Sequence, residues 1–218
     1  MFPFFQNLRQ KLYDRSIAHS VSIRLSRLGI GVSPYIIYRE DSSSINECPP
    51  FEPSIERVTL ENCERLLSDF ASELQVSPDA WRRQLQEGKI ALVMRLRDES
   101  VGYTWATLRY YAPYHRRTEL GPKQAYLTDT YIAKRVRNQG MATLMRHAMY
   151  RELLRRGRTE FFSVSDFLNT PAKNWKRRMN ATRLELRLAL HLFHRWHADV
   201  RLRAYADVAR HDAESAVP

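Results

Sequence analysis

The stretch that most limits how this chain can fold runs from residue 125 to residue 156. Residues 125 to 134 alternate in the manner of a strand, and the turn Arg137-Asn138-Gln139-Gly140-Met141-Ala142 follows. After it, Met141, Leu144, Met145, Ala148, Met149 and Leu153 fall on one face of a strongly amphipathic helix spanning 140 to 156. Strand, glycine turn and helix start in this order form an anion-binding geometry. Gly140 has no Cβ, so backbone and ligand can approach closely, and the first N–H groups of the helix point outward at its positive dipole end. Arg137 adds a charge-assisted contact from the turn. The hexamer alone is a weak pattern that a chain of this length meets by chance roughly one time in five. The order of the flanking elements carries the argument.

At 218 residues the chain makes one domain with a sizeable core, and 44% hydrophobic content excludes a disordered chain. No apolar run approaches the ~18 residues that span a bilayer, and Arg9, Lys11 and Asp14 interrupt the N-terminus too early for a signal-peptide core. A soluble cytoplasmic protein is the expectation. Cys48 and Cys63 cannot build a disulfide framework; Cys63 reads as packing and Cys48 as a loop residue. The formal charge is +11, and between Lys134 and Arg178 twelve basic residues face three acids. A basic rim there favours capture of a phosphorylated ligand, while Arg146, Arg151 and Arg155 also fit a solvated helix face.

Along the chain, residues 1 to 33 form a basic helical extension with amphipathic runs from Phe2 to Arg15 and Ile17 to Ile30. A main domain spans 34 to 205, and the tail 206 to 218 frays. A first strand at 34 to 39 precedes a Ser/Pro-rich loop, and residues 55 to 58 are extended. Thr59 caps a helix that turns Leu60, Cys63, Leu66, Leu67, Phe70 and Leu74 inward. Ser77-Pro78-Asp79 opens a helix that ends at Gly88. Residues 90 to 97 and 101 to 113 form a hairpin turned by Asp98 to Gly102, and a long polar loop covers 114 to 124. A strand at 159 to 165 and a short helix at 171 to 179 follow. Leu184 to Leu192 alternates with strict period 2, which predicts a strand with a hairpin partner at 198 to 205.

With the 137–142 turn, two further segments carry a resemblance. Tyr126-Leu127-Thr128-Asp129-Thr130-Tyr131-Ile132 precedes the turn, and residues 169 to 181 read NTPAKNWKRRMNA, one helix and one strand downstream. Together they resemble the GCN5-related N-acetyltransferases. The resemblance implies an α/β (α+β) fold: a mixed, mostly antiparallel sheet of six to seven strands flanked by helices. It implies acetyl-coenzyme A as co-substrate, with the pyrophosphate on Arg137, Asn138, Gln139, Gly140, Met141 and Ala142. Main-chain groups of Tyr131 and Ile132 would meet the thioester, and Asn169 the pantetheine arm unless it only caps a helix. Lys176 stands on the cofactor's helix where relatives carry a tyrosine acid, which leaves the donor of the leaving-group proton unassigned.

Acyl transfer to an amine needs the amine uncharged, the carbonyl polarised and the thiolate protonated. Asp129 is the candidate for the amine, because a carboxylate in an otherwise apolar and aromatic strand is costly unless paired or used; an ion pair or a bulge is the structural alternative. Tyr131, Tyr126 and Tyr103 are candidate acids. His191, His194 and His197 recur every third residue, but on one strand His194 points away from the others, so no metal is expected. The functional expectation is transfer of an acetyl or other acyl group to a primary amine of a small molecule. An acidic acyl carrier protein as donor is an alternative. A nucleic-acid binder is thinkable at pI near 9.9, yet no helix-turn-helix, zinc or RNP-like signature supports specific binding. Peripheral membrane contact through residues 1 to 30 and a homodimer remain open.

Overall fold

The computed structural model describes residues 30–42, 53–68, 70, 77–111, 113, 117–193 and 195–205. Ten strands occur among them: β1 (Ile30–Glu40), β2 (Ser54–Arg57), β3 (Ile90–Leu96), β4 (Glu99–Thr107), β5 (Tyr110–Tyr111), β6 (Thr118–Glu119), β7 (Gln124–Ile132), β8 (Glu160–Asp166), β9 (Thr182–Leu192) and β10 (Trp196–Ala204). The helices are α1 (Cys63–Ser68), α2 (Pro78–Gln86), α3 (Met141–Leu154) and α4 (Thr170–Arg178). Eight strands, rather than six or seven, make one mostly antiparallel sheet in the order β10-β9-β1-β8-β7-β4-β3-β2; β5 and β6 pair separately. β1 begins at Ile30, inside the expected 1–33 extension, because Ile30 to Ser33 pair with β9. The two N-terminal amphipathic runs up to residue 29, Cys48 and the 206–218 tail lie outside the described residues.

Chain contacts divide the molecule into two compact units. Of the described residues, those up to 41, 113, 117 and those from 162 on make one, and those of 42–111 and 118–161 the other. In the second unit the core gathers Val58, Cys63, Leu66, Leu67, Phe70, Trp81, Ala91, Val93 and Trp105. Thr59 and Asn62 exchange hydrogen bonds and delay α1 to Cys63, which leaves Leu60 46% exposed instead of inward; Leu74 lies outside the described residues. Cys63 is fully buried and packs. Ser77 caps α2 through the Ala80 N–H, and Pro78 occupies its first turn.

The β3–β4 turn is tighter than the sequence suggests. Arg97, at φ 57°, and Asp98 make it, so Gly102 falls inside β4 rather than in the turn. There a Cβ would stand 2.7 Å from Ile132 Cδ1 and 2.9 Å from the Tyr131 carbonyl oxygen, a closeness that requires glycine.

α3 packs on β4, β7 and β3, and it is buried on more than the one face its periodicity predicts. Arg146, His147 and Tyr150 are each 2% exposed beside Met141, Met145, Met149 and Leu153. Tyr150 stacks on Phe161 at 4.9 Å. In the first unit, β9 pairs antiparallel with both β1 and β10, as the period-2 run at 184 to 192 predicts.

Candidate active site

The site grows from a fault in the β4–β7 ladder. Thr104 pairs with Thr130 and Ala106 with Leu127, so β7 spends one residue more than β4 and bulges at Thr128–Asp129 opposite Trp105. Before the bulge Ala125 and Leu127 point into the core; after it Ile132 does. Strict alternation would have driven Asp129 inward with Leu127. The bulge turns it out, and its side chain is exposed. The sequence argument from the cost of a buried carboxylate therefore does not apply, because the strand's phase changes one residue before the cost would arise.

Thr130 takes the inward place. Its Oγ1 lies 2.9 Å from Thr104 Oγ1 and accepts from Arg146 Nη2 at 3.1 Å. Arg146 is thus a buried donor that ties α3 to the bulged strand, not a solvated helix arginine. Sequence reasoning missed this group, since nothing local marks a threonine pair that forms across 26 residues.

Beside Asp129 stands an aromatic platform drawn from separate elements. Tyr103 and Tyr131 stack at 5.7 Å, Phe70 meets both edge-on at 5.9 and 6.4 Å, and Trp81 lies 5.1 Å from Tyr103 and 4.7 Å from Trp105. Burial first, and then the Asp129 carboxylate, push the Tyr103 hydroxyl above its ordinary pKa, so it stays protonated at neutral pH.

The chain leaves the platform through the phosphate-type turn. Ala133 N–H donates to Val101 O at 2.7 Å, a short 3-10 turn covers Lys134–Val136, and Arg137 returns its Nε to the Ile132 carbonyl at 2.8 Å. The Arg137 guanidinium also sits 5.7 Å over the Tyr131 ring. Asn138 and Gly140 both take left-handed backbone, φ 64° and 78°. Gly140 is the N-cap of α3, and its place is filled by no side-chain cap. The N-cap residue therefore offers backbone alone, at a φ that side chains rarely tolerate.

Asn169 and Lys176 belong to the first unit, and each has a structural partner there. Asn169 is the N-cap of α4 and accepts from the Ala172 N–H at 3.1 Å, which is the capping role. Lys176 is 3% exposed; its Nζ donates to Glu40 Oε1 at 2.7 Å and to Ser163 Oγ, and it lies 5.1 Å over the Tyr38 ring. A buried ammonium in an ion pair occupies the position expected to face the cofactor. Tyr126 makes an edge contact with Tyr111 at 4.7 Å, apart from the Tyr103–Tyr131 stack. Several of the twelve basic residues are likewise spent on internal contacts: Arg155 and Arg156 on Glu152, and Arg158 on the carbonyls of Gly121 and Gln124. The β9–β10 hairpin, not a single strand, sets the histidines: His191 and His197 pair across it with Nδ1 atoms 2.9 Å apart, and His194 lies outside the described residues. Among the described residues no group of three metal-ligating side chains occurs, and no helix is long and apolar enough to cross a membrane.

No protein-family model matches the sequence, and no curated protein does either. Solved structures do share its architecture. A conserved protein of unknown function from Staphylococcus epidermidis matches with a TM-score of 0.54 at 13% identity, over 78% of this chain and 65% of that one. A protein assigned to the GNAT acetyltransferase family from Novosphingobium aromaticivorans matches at 0.51 and 14% identity, over 75% and 66%. A Drosophila protein matches at 0.51 and 13% identity, over 84% and 57%. This chain thus spans less than two thirds of the length of each. The fold is that of the GCN5-related N-acetyltransferases.

Proposed function

We propose that the protein is an N-acyltransferase that moves an acetyl or related acyl group from acyl-coenzyme A to the primary amine of a small molecule by direct attack. The observation that carries this reading is the exit from β7 into α3. A left-handed Gly140, which brings no side chain of its own to the cap, opens α3, and Arg137 is held at the turn by the Ile132 carbonyl. The arrangement suits a pyrophosphate, which would accept from the first N–H groups of α3 over Gly140 to Ala142, with Asn138 and Gln139 shaping the approach. Bound there, acyl-coenzyme A supplies an activated thioester.

This chain's own residues do the rest. The attacking amine must lose its proton, and Asp129, turned outward by the bulge beside the aromatic platform, takes it directly or through a water. Main-chain groups at Tyr131 and Ile132 orient the carbonyl at the end of β7. As the C–N bond forms and the C–S bond breaks, the leaving thiolate needs a proton; Tyr103, kept protonated by its burial, is a donor in the platform, and solvent is the other. Asn169 and Lys176 enter this proposal only as supports of α4.

Calorimetric titration with acetyl-coenzyme A tests the reading. The native chain is expected to bind saturably, and Gly140→Val to lose binding while keeping its circular dichroism, because a branched side chain at φ 78° crowds the anion site. Unchanged affinity in the folded variant would refute it. Nanomolar duplex-DNA affinity without acyl-coenzyme A binding would move the assignment to a basic nucleic-acid binder.

A further inference from the structure

In the first unit the outer end of the sheet is built inside out. Paired residues of a ladder share a face, and the register pairs Val32 with Leu190, Trp196 with Leu192, and Val200 with Leu188. These apolar side chains occupy one side of β1, β9 and β10. Val32 is 41% exposed, Leu192 38%, Val200 46% and Trp196 68%; Phe193, in the turn of the hairpin, is 68% exposed. On the opposite side a polar cluster is sealed in, although Arg201 and His197 there are exposed. Arg187 pairs with Asp199 at 2.5 Å and with Glu185 at 2.6 Å, and the Tyr35 hydroxyl donates to Asp199. A contiguous apolar patch of this kind on a soluble surface marks a contact site.

Charge selects the occupant. Both acids of the hairpin, Glu185 and Asp199, are engaged by Arg187, and Glu185 also by Arg201 on the polar side, while Arg195 at the turn and Arg203 on β10, which pairs with Leu186 on the apolar side, are exposed. The chain runs into Ile30, the β1 residue paired with Leu192, from a stretch that holds Arg9, Lys11, Arg15, Arg24 and Arg27 against the single acid Asp14. A second copy would set arginine against arginine, and so would the N-terminal stretch folding back over the patch. A negatively charged surface that also accepts a tryptophan and a phenylalanine answers both features, since aromatic rings settle at the headgroup level and basic residues are drawn to anionic lipids. We propose that the β9–β10 hairpin face, led by Phe193 and Trp196 and rimmed by Arg195 and Arg203, docks on an anionic lipid bilayer. The contact is peripheral: side chains enter the interface and no segment spans it.

Vesicle co-sedimentation of the full chain tests this, using phosphatidylglycerol and phosphatidylcholine in about equal parts against phosphatidylcholine alone. Binding is expected to the anionic vesicles only, and to fall away as salt rises from about 0.05 to about 0.5 M. The double variant Phe193→Asn, Trp196→Ser should partition at least about tenfold less, since two aromatic anchors are removed; asparagine suits the left-handed φ of 51° at residue 193, so the hairpin is preserved. Brominated lipid should quench part of the native tryptophan emission, and Trp196→Phe should remove that quenching. Three results would overturn the proposal: no binding of the native chain to anionic vesicles, undiminished binding of the double variant, or a concentration-dependent dimer that the double variant abolishes, which would make a second copy the occupant.

Discussion

Replacing Lys176 by methionine separates a structural from a ligand-binding role at that position. The Lys176 side chain is 4% exposed and the Glu40 side chain 2%, with Nζ and Oε1 2.7 Å apart and Ser163 beside both. Methionine fills similar space but removes the cation facing Glu40, so the carboxylate stays in a low-dielectric site with its principal compensation gone. Breaking a buried pair from one side costs about 3–5 kcal/mol. For a chain of this length each kcal/mol moves Tm by about 2–4 °C, so the expected fall is about 6–20 °C. Adding Glu40→Gln should recover most of it, because the unbalanced charge is then gone; a double-mutant cycle read by urea unfolding measures the coupling. The loss should also shrink at acid pH, where Glu40 in the single variant gains a proton. A fall below about 1 kcal/mol would refute the view that the pair holds α4 against β1 and β8. Intact stability with weakened acetyl-coenzyme A binding would return Lys176 to the cofactor site that the family resemblance suggests.

Asp129→Asn should leave acetyl-coenzyme A affinity near normal while turnover falls by ~10² to 10⁴, the range for a lost general base; full activity with the true acceptor from about pH 6 to 9 would make the residue structural. Gly102→Ala should destabilise by about 1–3 kcal/mol, because the new Cβ meets Ile132 Cδ1 at 2.7 Å and the backbone oxygen of Tyr131 at 2.9 Å; a native melting curve would contradict the close approach. His147 carries a pH effect of definite sign. Burial, and then the Arg151 charge, hold its pKa below the ordinary value, and its Nε2 has no hydrogen-bond partner among the described residues. The unfolded chain therefore binds the proton more readily, so this stability is present above about pH 6.5 and drains away as pH falls toward the lower folded value. His147→Phe should flatten the dependence of Tm on pH between about 5 and 7; an unchanged slope would assign the effect elsewhere.

What the sequence alone determined is what neighbours along the chain decide. Ser77 caps the helix it precedes, the glycine turn at Gly140 opens α3, and the alternating leucines of 184 to 192 form a strand with the partner that follows them. Each depends on backbone conformations and side-chain periods that span a few residues, so short patterns suffice. The tertiary structure decided the rest, where contacts join distant segments. The bulge that turns Asp129 outward exists only in the register of β7 against β4. The aromatic platform takes its rings from β4, β7, α2 and the residue 70 turn, and no spacing in the sequence links them. Lys176 meets Glu40 across 136 residues, and Arg146 reaches Thr130 from within a buried helix that its arginines made look solvated. A charged side chain reads the same in sequence whether water or a carboxylate satisfies it; only the packing around it tells which, because the cost of burial is met by partners brought in from elsewhere in the chain.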